Sequence, residues 1–207
     1  MDILLERPDL VIVDKPAGLP SIADRFGSDS VHQQLQAQRG EKLWVTHRLD
    51  REVTGILLFA RTAEAHRALS MAFEHQQVQK TYAALTGGQR PGADGSHFTW
   101  KDTLMRGKKR AYVHPAGKPA HTEARFDGPG PLPGLWAWSL QPRTGRNHQL
   151  RVHLASRGWP IAGDGLYGSA DPWPLPGIAL RAVRLELPAG IVGPALTVQA
   201  PGWVLPG

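Results

Sequence analysis

A chain of 207 residues fits one domain, since domains run roughly 100–200 residues, and 41% hydrophobic content is enough to build a core. The absence of cysteine excludes a disulfide scaffold, thiolate metal or iron–sulfur sites and a cysteine nucleophile, while the formal charge of +6 favours a polyanionic partner. Twenty-three glycines and 18 prolines, about a fifth of the chain, point to a folded but loop-rich protein, short of the roughly 25–30% at which low complexity takes over. In chain order, Leu10 to Val13 is an apolar run stopped by Pro16 and Gly18, the pattern of a buried strand entering a turn. Ser30 with Gln33 three residues later reads as a capping box, opening a helix that carries Val31, Leu35 and Gln38 and stops at Gly40. Ile56 to Phe59 is a second buried strand. A helix follows, capped by Thr62, with Ala65, Ala68, Leu69 and Ala72 at helical spacing.

Thr81 to Leu85 reads as a strand closed by Gly87 and Gly88. From Arg90 to Gly134 the character changes: between Lys101 and Arg125 seven Lys or Arg face two acids, with Gly107, Pro115, Gly117 and Pro119 interspersed. That pattern predicts a basic, looped excursion from the core. Leu135 to Leu140 alternates as a strand does. A turn from Pro142 to Gly145 leads to a helix from about Asn147 to Ser156, with Gly158 past its end. Short strands at Leu180 to Leu187 and Leu196 to Gln199 finish the chain. Mixed strands and helices without regular alternation argue for an α+β domain spanning residues 1–207. The acidic residues Asp2 and Glu6 at the N-terminus, and no apolar run near 18 residues, speak against a signal peptide or membrane span and for a cytoplasmic protein.

Several motifs are set aside on context. Gly163-Asp-Gly165-Leu-Tyr-Gly168 satisfies G-x-G-x-x-G, but no strand precedes it and the proline-rich Asp171 to Pro176 cannot open a helix, so it is a turn and not a dinucleotide site. His148 and His153 are five apart, off one helical face, and neither HExxH nor G-x-S-x-G occurs, so neither a metal site nor a serine-hydrolase nucleophile is expected. Two polar segments remain. Thr46-His-Arg-Leu-Asp50 precedes the second apolar strand, and by itself is most simply a turn with a structural ion pair. Pro142 to Arg151 crowds Arg143, Arg146 and Arg151 around a helix start, against the dipole, which a carboxylate or phosphate between Arg146 and Arg151 would offset; a solvated basic face is the plain alternative.

Together these segments resemble the motifs of RluA-type pseudouridine synthases. His47-Arg-Leu-Asp50 with Gly55-Ile-Leu-Leu-Phe59 resembles the family's catalytic motif. Val13-Asp-Lys-Pro-Ala-Gly-Leu-Pro20, Lys80-Thr-Tyr-Ala-Ala-Leu85 and Gly117-Lys-Pro-Ala-His-Thr-Glu123 match further elements in the family's order. So do Thr144-Gly-Arg-Asn-His-Gln-Leu-Arg-Val-His153 and Pro160-Ile-Ala-Gly-Asp-Gly-Leu-Tyr-Gly168. The resemblance implies one catalytic domain with a mixed, mostly antiparallel sheet flanked by helices and basic loops, and isomerisation of uridine in structured RNA, tRNA or rRNA, without cofactor or metal. It implies Asp50 as nucleophile, Tyr82 stacking on the uracil, Leu150 lining the pocket and Arg151 pairing with Asp50. Arg48 would contact the RNA backbone where the target nucleotide leaves the stack.

General chemistry agrees with those roles. Exchanging a C–N for a C–C glycosidic bond needs an ionised carboxylate, which an adjacent arginine favours, and a flipped base needs an aromatic face. Alone, Tyr82 would read as a half-buried strand tyrosine. Arg143, Arg146, Lys108, Lys109 and Arg110 would supply phosphate contacts, with a solvated loop as the plain reading of residues 108–110. Two departures stand out: Val53-Thr54-Gly55 replaces the family's Thr-Ser-Gly, and Leu180-Arg-Ala182 replaces Leu-His-Ala, where Arg181 should be tolerated in a structural position. The motifs begin by Leu10, which leaves no room for a separate N-terminal RNA-binding domain, and a monomer is expected. The competing class is a non-catalytic RNA-binding or RNA-folding protein on the same scaffold, which would have no need of Asp50, Tyr82 and Arg151 together.

Overall fold

The two apolar runs at Leu10 to Val13 and Ile56 to Phe59 are hydrogen-bonded to each other. In a computed structural model of the chain, which describes residues 1–23, 27 and 29–205, the elements in order are β1 (Asp2–Glu6), β2 (Leu10–Lys15), α1 (Val31–Arg39), β3 (Trp44–Val45), β4 (Thr54–Ala60), α2 (Ala63–Glu74) and β5 (Gln79–Thr86). They continue with β6 (His97–Arg106), β7 (Ala111–Val113), β8 (Lys118–Pro129), β9 (Trp136–Pro142), α3 (Gln149–Ala155), β10 (Leu180–Leu187) and β11 (Leu196–Gln199). Strands dominate and all but one of the pairings described below are antiparallel, so the expected α+β class with a mixed, mostly antiparallel sheet is what forms. Residue contacts divide the chain into two compact units: Met1–Lys80 with Arg181–Leu205, and Thr81–Leu180.

In the first unit β2 pairs antiparallel with β4, Leu10 opposite Ala60 through Lys15 opposite Gly55. Leu10 to Val13 and Leu57 to Ala60 are completely buried. Successive strand side chains point to opposite faces, so an unbroken buried run means that both faces are covered. β1 adds to β2, β3 to β4, and β10 lies parallel to β4 with β11 beside it. The parallel contact requires Gly55: its φ is +105°, and a Cβ there would overlap the Ala182 backbone. Both helices start as their sequences dictate. Thr62 Oγ1 accepts the Ala65 N–H at 3.1 Å, and Gly40 ends α1 in the left-handed conformation. The capping box is half realised: Ser30 Oγ accepts from the Gln33 N–H at 3.3 Å, but the Ser30 N–H goes to the Asp29 carboxylate at 2.8 Å instead of to Gln33.

The second unit is an antiparallel sheet in the order β5-β9-β8-β6-β7. The stretch expected as a basic looped excursion is therefore mostly strand. β8 alternates strictly, with Ala120, Thr122, Ala124 and Phe126 buried and their neighbours half-buried or exposed. Three of these inward positions, Ala120, Thr122 and Ala124, are small or polar, which is why the period-two signal is weak in the sequence. Behind this face Phe98, Trp100, Phe126, Trp138 and Trp159 form an aromatic core with ring centroids 5.1–6.3 Å apart. The helix expected from Asn147 begins at Gln149 because His148 takes a left-handed conformation, φ 52°. Residues 163–168 form a turn and one short 3-10 turn, as context had required. Among the described residues no helix is long and apolar enough to cross a membrane.

Candidate active site

In the first unit, Arg48 and Asp50 lie on the segment between β3 and β4. This segment is fixed by its backbone. Thr46 Oγ1 donates to the Leu58 carbonyl at 2.8 Å, and the Leu58 N–H donates to His47 Nε2 at 3.0 Å, so the ring is neutral with its proton on Nδ1. Burial, helped by the Lys80 charge, pushes the His47 pKa down to about 3, and the ring stacks on Phe73 with centroids 4.6 Å apart. Ser21, fully buried, grips Leu49 twice: its Oγ accepts the Leu49 N–H and donates to the Leu49 carbonyl, both at 2.9 Å. On the other side of Asp50, the Arg51 carbonyl accepts from the Gly18 N–H at 2.9 Å and from Lys15 Nζ at 3.1 Å.

Lys15 is itself wholly buried and also donates to the carbonyls of Pro16 and Leu19, at 2.8 and 2.7 Å. Burial pushes its pKa down to about 8, against the carboxylates of Glu52 and Asp50, which favour the charged form. The Asp50 side chain, half-buried, thus rises from a backbone clamped at the residue before and the residue after it. Val53 is buried, which explains how an apolar residue serves where the family carries a hydroxyl. Arg48 is exposed. Arg181 is structural, as expected: it pairs with Asp14 and donates from Nε to the Pro201 carbonyl at 2.8 Å.

In the second unit, Tyr82 sits on β5 opposite Leu140 of β9 and is 8% exposed. Leu150 and Arg151 are buried in the first turn of α3. Arg151 donates to the Asp164 carboxylate from Nε at 2.7 Å and from Nη2 at 2.8 Å in a buried bidentate pair. The turn so easily read as a nucleotide loop therefore supplies the counter-charge that holds the Arg151 plane. Arg146 is exposed and its Nε donates to the Pro119 carbonyl at 2.8 Å. Arg143 is exposed beside it.

Lys108, Lys109 and Arg110 are exposed on the β6–β7 hairpin, and Arg110 reaches the Leu166 carbonyl at 3.2 Å. Two further residues organise this region and were not singled out by sequence. Gln149, buried, accepts from Thr144 Oγ1 and the Arg146 N–H and donates to the His121 carbonyl and Thr122 Oγ1, at 2.7–3.0 Å. Tyr167 Oη accepts from the Ala111 N–H and donates to the Ala111 carbonyl, both at 3.0 Å, and lies 2.9 Å from His148 Nδ1. Its ring stands 5.1 Å beneath the Arg151 guanidinium. The only sequence signal for either was membership in the quoted motifs. Among the described residues no group of three His, Asp or Glu is disposed to hold a metal ion.

Comparison with known proteins fits this arrangement. A profile of the family described as RNA pseudouridylate synthase matches residues 9–156. The chain is 37% identical over 205 residues to an uncharacterised RNA pseudouridine synthase of Zymomonas mobilis, covering 96% of this chain and 92% of the relative. It is 34% identical over 222 residues to the tRNA pseudouridine synthase C of Salmonella typhi, covering 97% and 85%. Among solved structures, human RNA pseudouridylate synthase domain containing 1 superposes with a TM-score of 0.81 at 24% identity, over 97% of this chain and 83% of that one, a likeness of fold. The chain belongs to the RNA pseudouridylate synthase family, as an RluA-type isomerase acting on uridines in RNA.

Proposed function

We propose that Asp50 is the nucleophile of this isomerase and that its substrate is a uridine in a loop of tRNA. The observation that carries the assignment is the clamping of the chain on both sides of Asp50, at Leu49 by Ser21 and at Arg51 by Lys15 and Gly18. A nucleophile that must attack, hold and return the same base gains from a backbone that does not move between steps. The net reaction breaks the bond from uracil N1 to the ribose C1′ and forms one from C5 to C1′; C5 gives up a proton and N1 takes one, so nothing is consumed. That balance needs no redox partner.

In this reading Arg151, its guanidinium held by Asp164, is a substrate-binding residue. Tyr82 gives the extruded uracil an aromatic face, worth roughly 1–3 kcal/mol for a stacked base, and Leu150 lines the apolar side of the pocket. Arg48, Arg143, Arg146 and the hairpin cations Lys108, Lys109 and Arg110 contact phosphates and fix register without reading sequence. Support for tRNA comes from the Salmonella relative, whose name gives that substrate. Unpaired loops are also where a base can be extruded at least cost. The test is pseudouridine mapping of total RNA from a deletion strain complemented with wild type or Asp50→Asn. The expected result is a tRNA site lost on deletion, restored by wild type and not by the variant. A lost site in ribosomal RNA instead would overturn the substrate; restoration by the variant would overturn the nucleophile.

A further inference from the structure

We infer that the second unit carries a separate phosphate subsite for the RNA strand, formed by Arg106, Lys118, Arg146 and Asn147; the inference rests on the RNA reading above and refines it. The sheet face under α3 begins as an apolar patch, where Leu104, Ala111, Ala120 and Val152 pack with Tyr167 against them. The same face then turns cationic. Arg106 is two residues beyond Leu104, and Lys118 lies directly opposite Leu104 in the β6–β8 register, so both continue that row by strand alternation. The turn before α3 brings Arg146 and Asn147 to the same place, and together they line an open cleft of about 330 Å³.

Not one acidic residue lines this cleft. Among the described residues neither Arg106 nor Lys118 forms an ion pair, and the Arg146 guanidinium donates to the neutral Pro119 carbonyl. Elsewhere the guanidinium groups of Arg39, Arg61, Arg90, Arg157 and Arg181 each meet a carboxylate. Three uncompensated cations around one concavity repel each other, and an anion seated among them relieves the repulsion. The backbone accommodates such a ligand. A Cβ at Gly117 would overlap the Leu104 backbone, so only glycine lets the chain lie close enough to deliver Lys118, while Gly145 has open space beside it.

The donor set fits a phosphodiester with its ribose: a guanidinium fork and an ammonium for the phosphate oxygens, and an amide for a hydroxyl. Arg146 and Asn147 precede Leu150 and Arg151 by three to five residues in one turn-and-helix segment. The subsite therefore holds the strand near the nucleotide that Leu150 and Arg151 would serve, contributing affinity and register but no chemistry.

The test uses the full chain and a tRNA stem-loop that carries the modified uridine. Arg106→Gln, Lys118→Gln and the double variant are compared with wild type by dissociation constant across salt concentrations and by single-turnover pseudouridine formation at saturating RNA. Each single variant is expected to weaken binding roughly 3- to 10-fold at low salt and to reduce the salt slope by about 0.7–0.9, the double by about twice that. The saturated rate should stay within about twofold of wild type, since the cleft holds the strand and not the reacting base. Lys101→Gln removes a charge from the opposite face of β6 and should change the slope less; an equal effect would overturn the subsite as mere net charge. An unchanged dissociation constant and slope in a double variant with the wild-type melting temperature would also overturn it. Arg106→Lys, which keeps the charge, guards against misfolding, and its failure to retain binding in a folded protein would count against the subsite too. Wild-type protein making no pseudouridine on any RNA would instead overturn the functional reading, a result separable from the binding measurements.

Discussion

The segment bearing Asp50 and the segment bearing Arg151 are both rigid, but by different means. Asp50 is held through its neighbours' backbones, by the neutral Ser21 hydroxyl at Leu49 and by Gly18 and a buried ammonium at Arg51. The Arg151 side chain is held in a buried bidentate pair with Asp164. The first arrangement spreads the cost of any loss over several modest bonds. The second places much of the cost in a buried ion pair, since breaking such a pair is expensive.

The largest effect should come from Asp50→Asn, which changes chemistry without touching the clamp. Pseudouridine formation should be abolished while RNA affinity stays within about tenfold, ~1.4 kcal/mol. Quantitative pseudouridine mapping with a binding isotherm measures both; a lost fold or lost binding would mean that Asp50 also supports its segment. Next comes Asp164→Asn, which breaks the buried ion pair with Arg151 and should cost about 3–5 kcal/mol in chemical denaturation. The double change Asp164→Leu with Arg151→Met should recover most of that stability, since the isolated charge is gone, yet remain inactive. Recovery of activity in the double variant would break the contrast between support and chemistry.

Ser21→Ala sharpens the comparison from the other side. It removes both bonds to Leu49 and should cost about 1–3 kcal/mol, with turnover reduced and the dissociation constant for RNA little changed. Smaller still is a pH effect. His47 is held neutral by its bond from Leu58, and His153 is pushed down to about 4 by burial, which outweighs the Asp102 carboxylate 3.5 Å away. Both folded-state values lie below the unfolded 6.5, so below pH 6.5 the unfolded chain takes up protons that the folded one refuses. Their stabilisation is complete above pH 6.5 and falls progressively toward pH 4. Melting temperatures between pH 7 and 4.5 should drop, and less steeply in His153→Gln; an equal slope there would mean that other groups carry the effect. The smallest change should follow Lys108→Gln with Lys109→Gln, which remove exposed charges and should weaken RNA binding modestly while flattening its salt dependence by about 0.7–0.9 per charge.

How much of this was legible beforehand follows from how each unit buries its strands. β2 and β4 are covered on both faces, so their sequences are plain apolar runs, and the helices beside them carry their own caps in Ser30 and Thr62. β6 to β8 turn only one face inward and place Ala120, Thr122 and Ala124 there, so basic residues on the open face dominate the composition and the strands pass for loops. The candidate residues Asp50, Tyr82 and Arg151 could be named because short contiguous motifs carry them. Their supports could not: Lys15 meets Arg51 36 positions away, Ser21 meets Leu49 across 28, and Asp164 meets Arg151 across 13. Local sequence determines periodicity, caps, glycine requirements and the motif residues, because these act within a few residues. Which carboxylate neutralises which arginine, and which cations are left facing an open cleft, was decided by tertiary folding alone, since electrostatics and hydrogen bonding depend on distance in space and not along the chain.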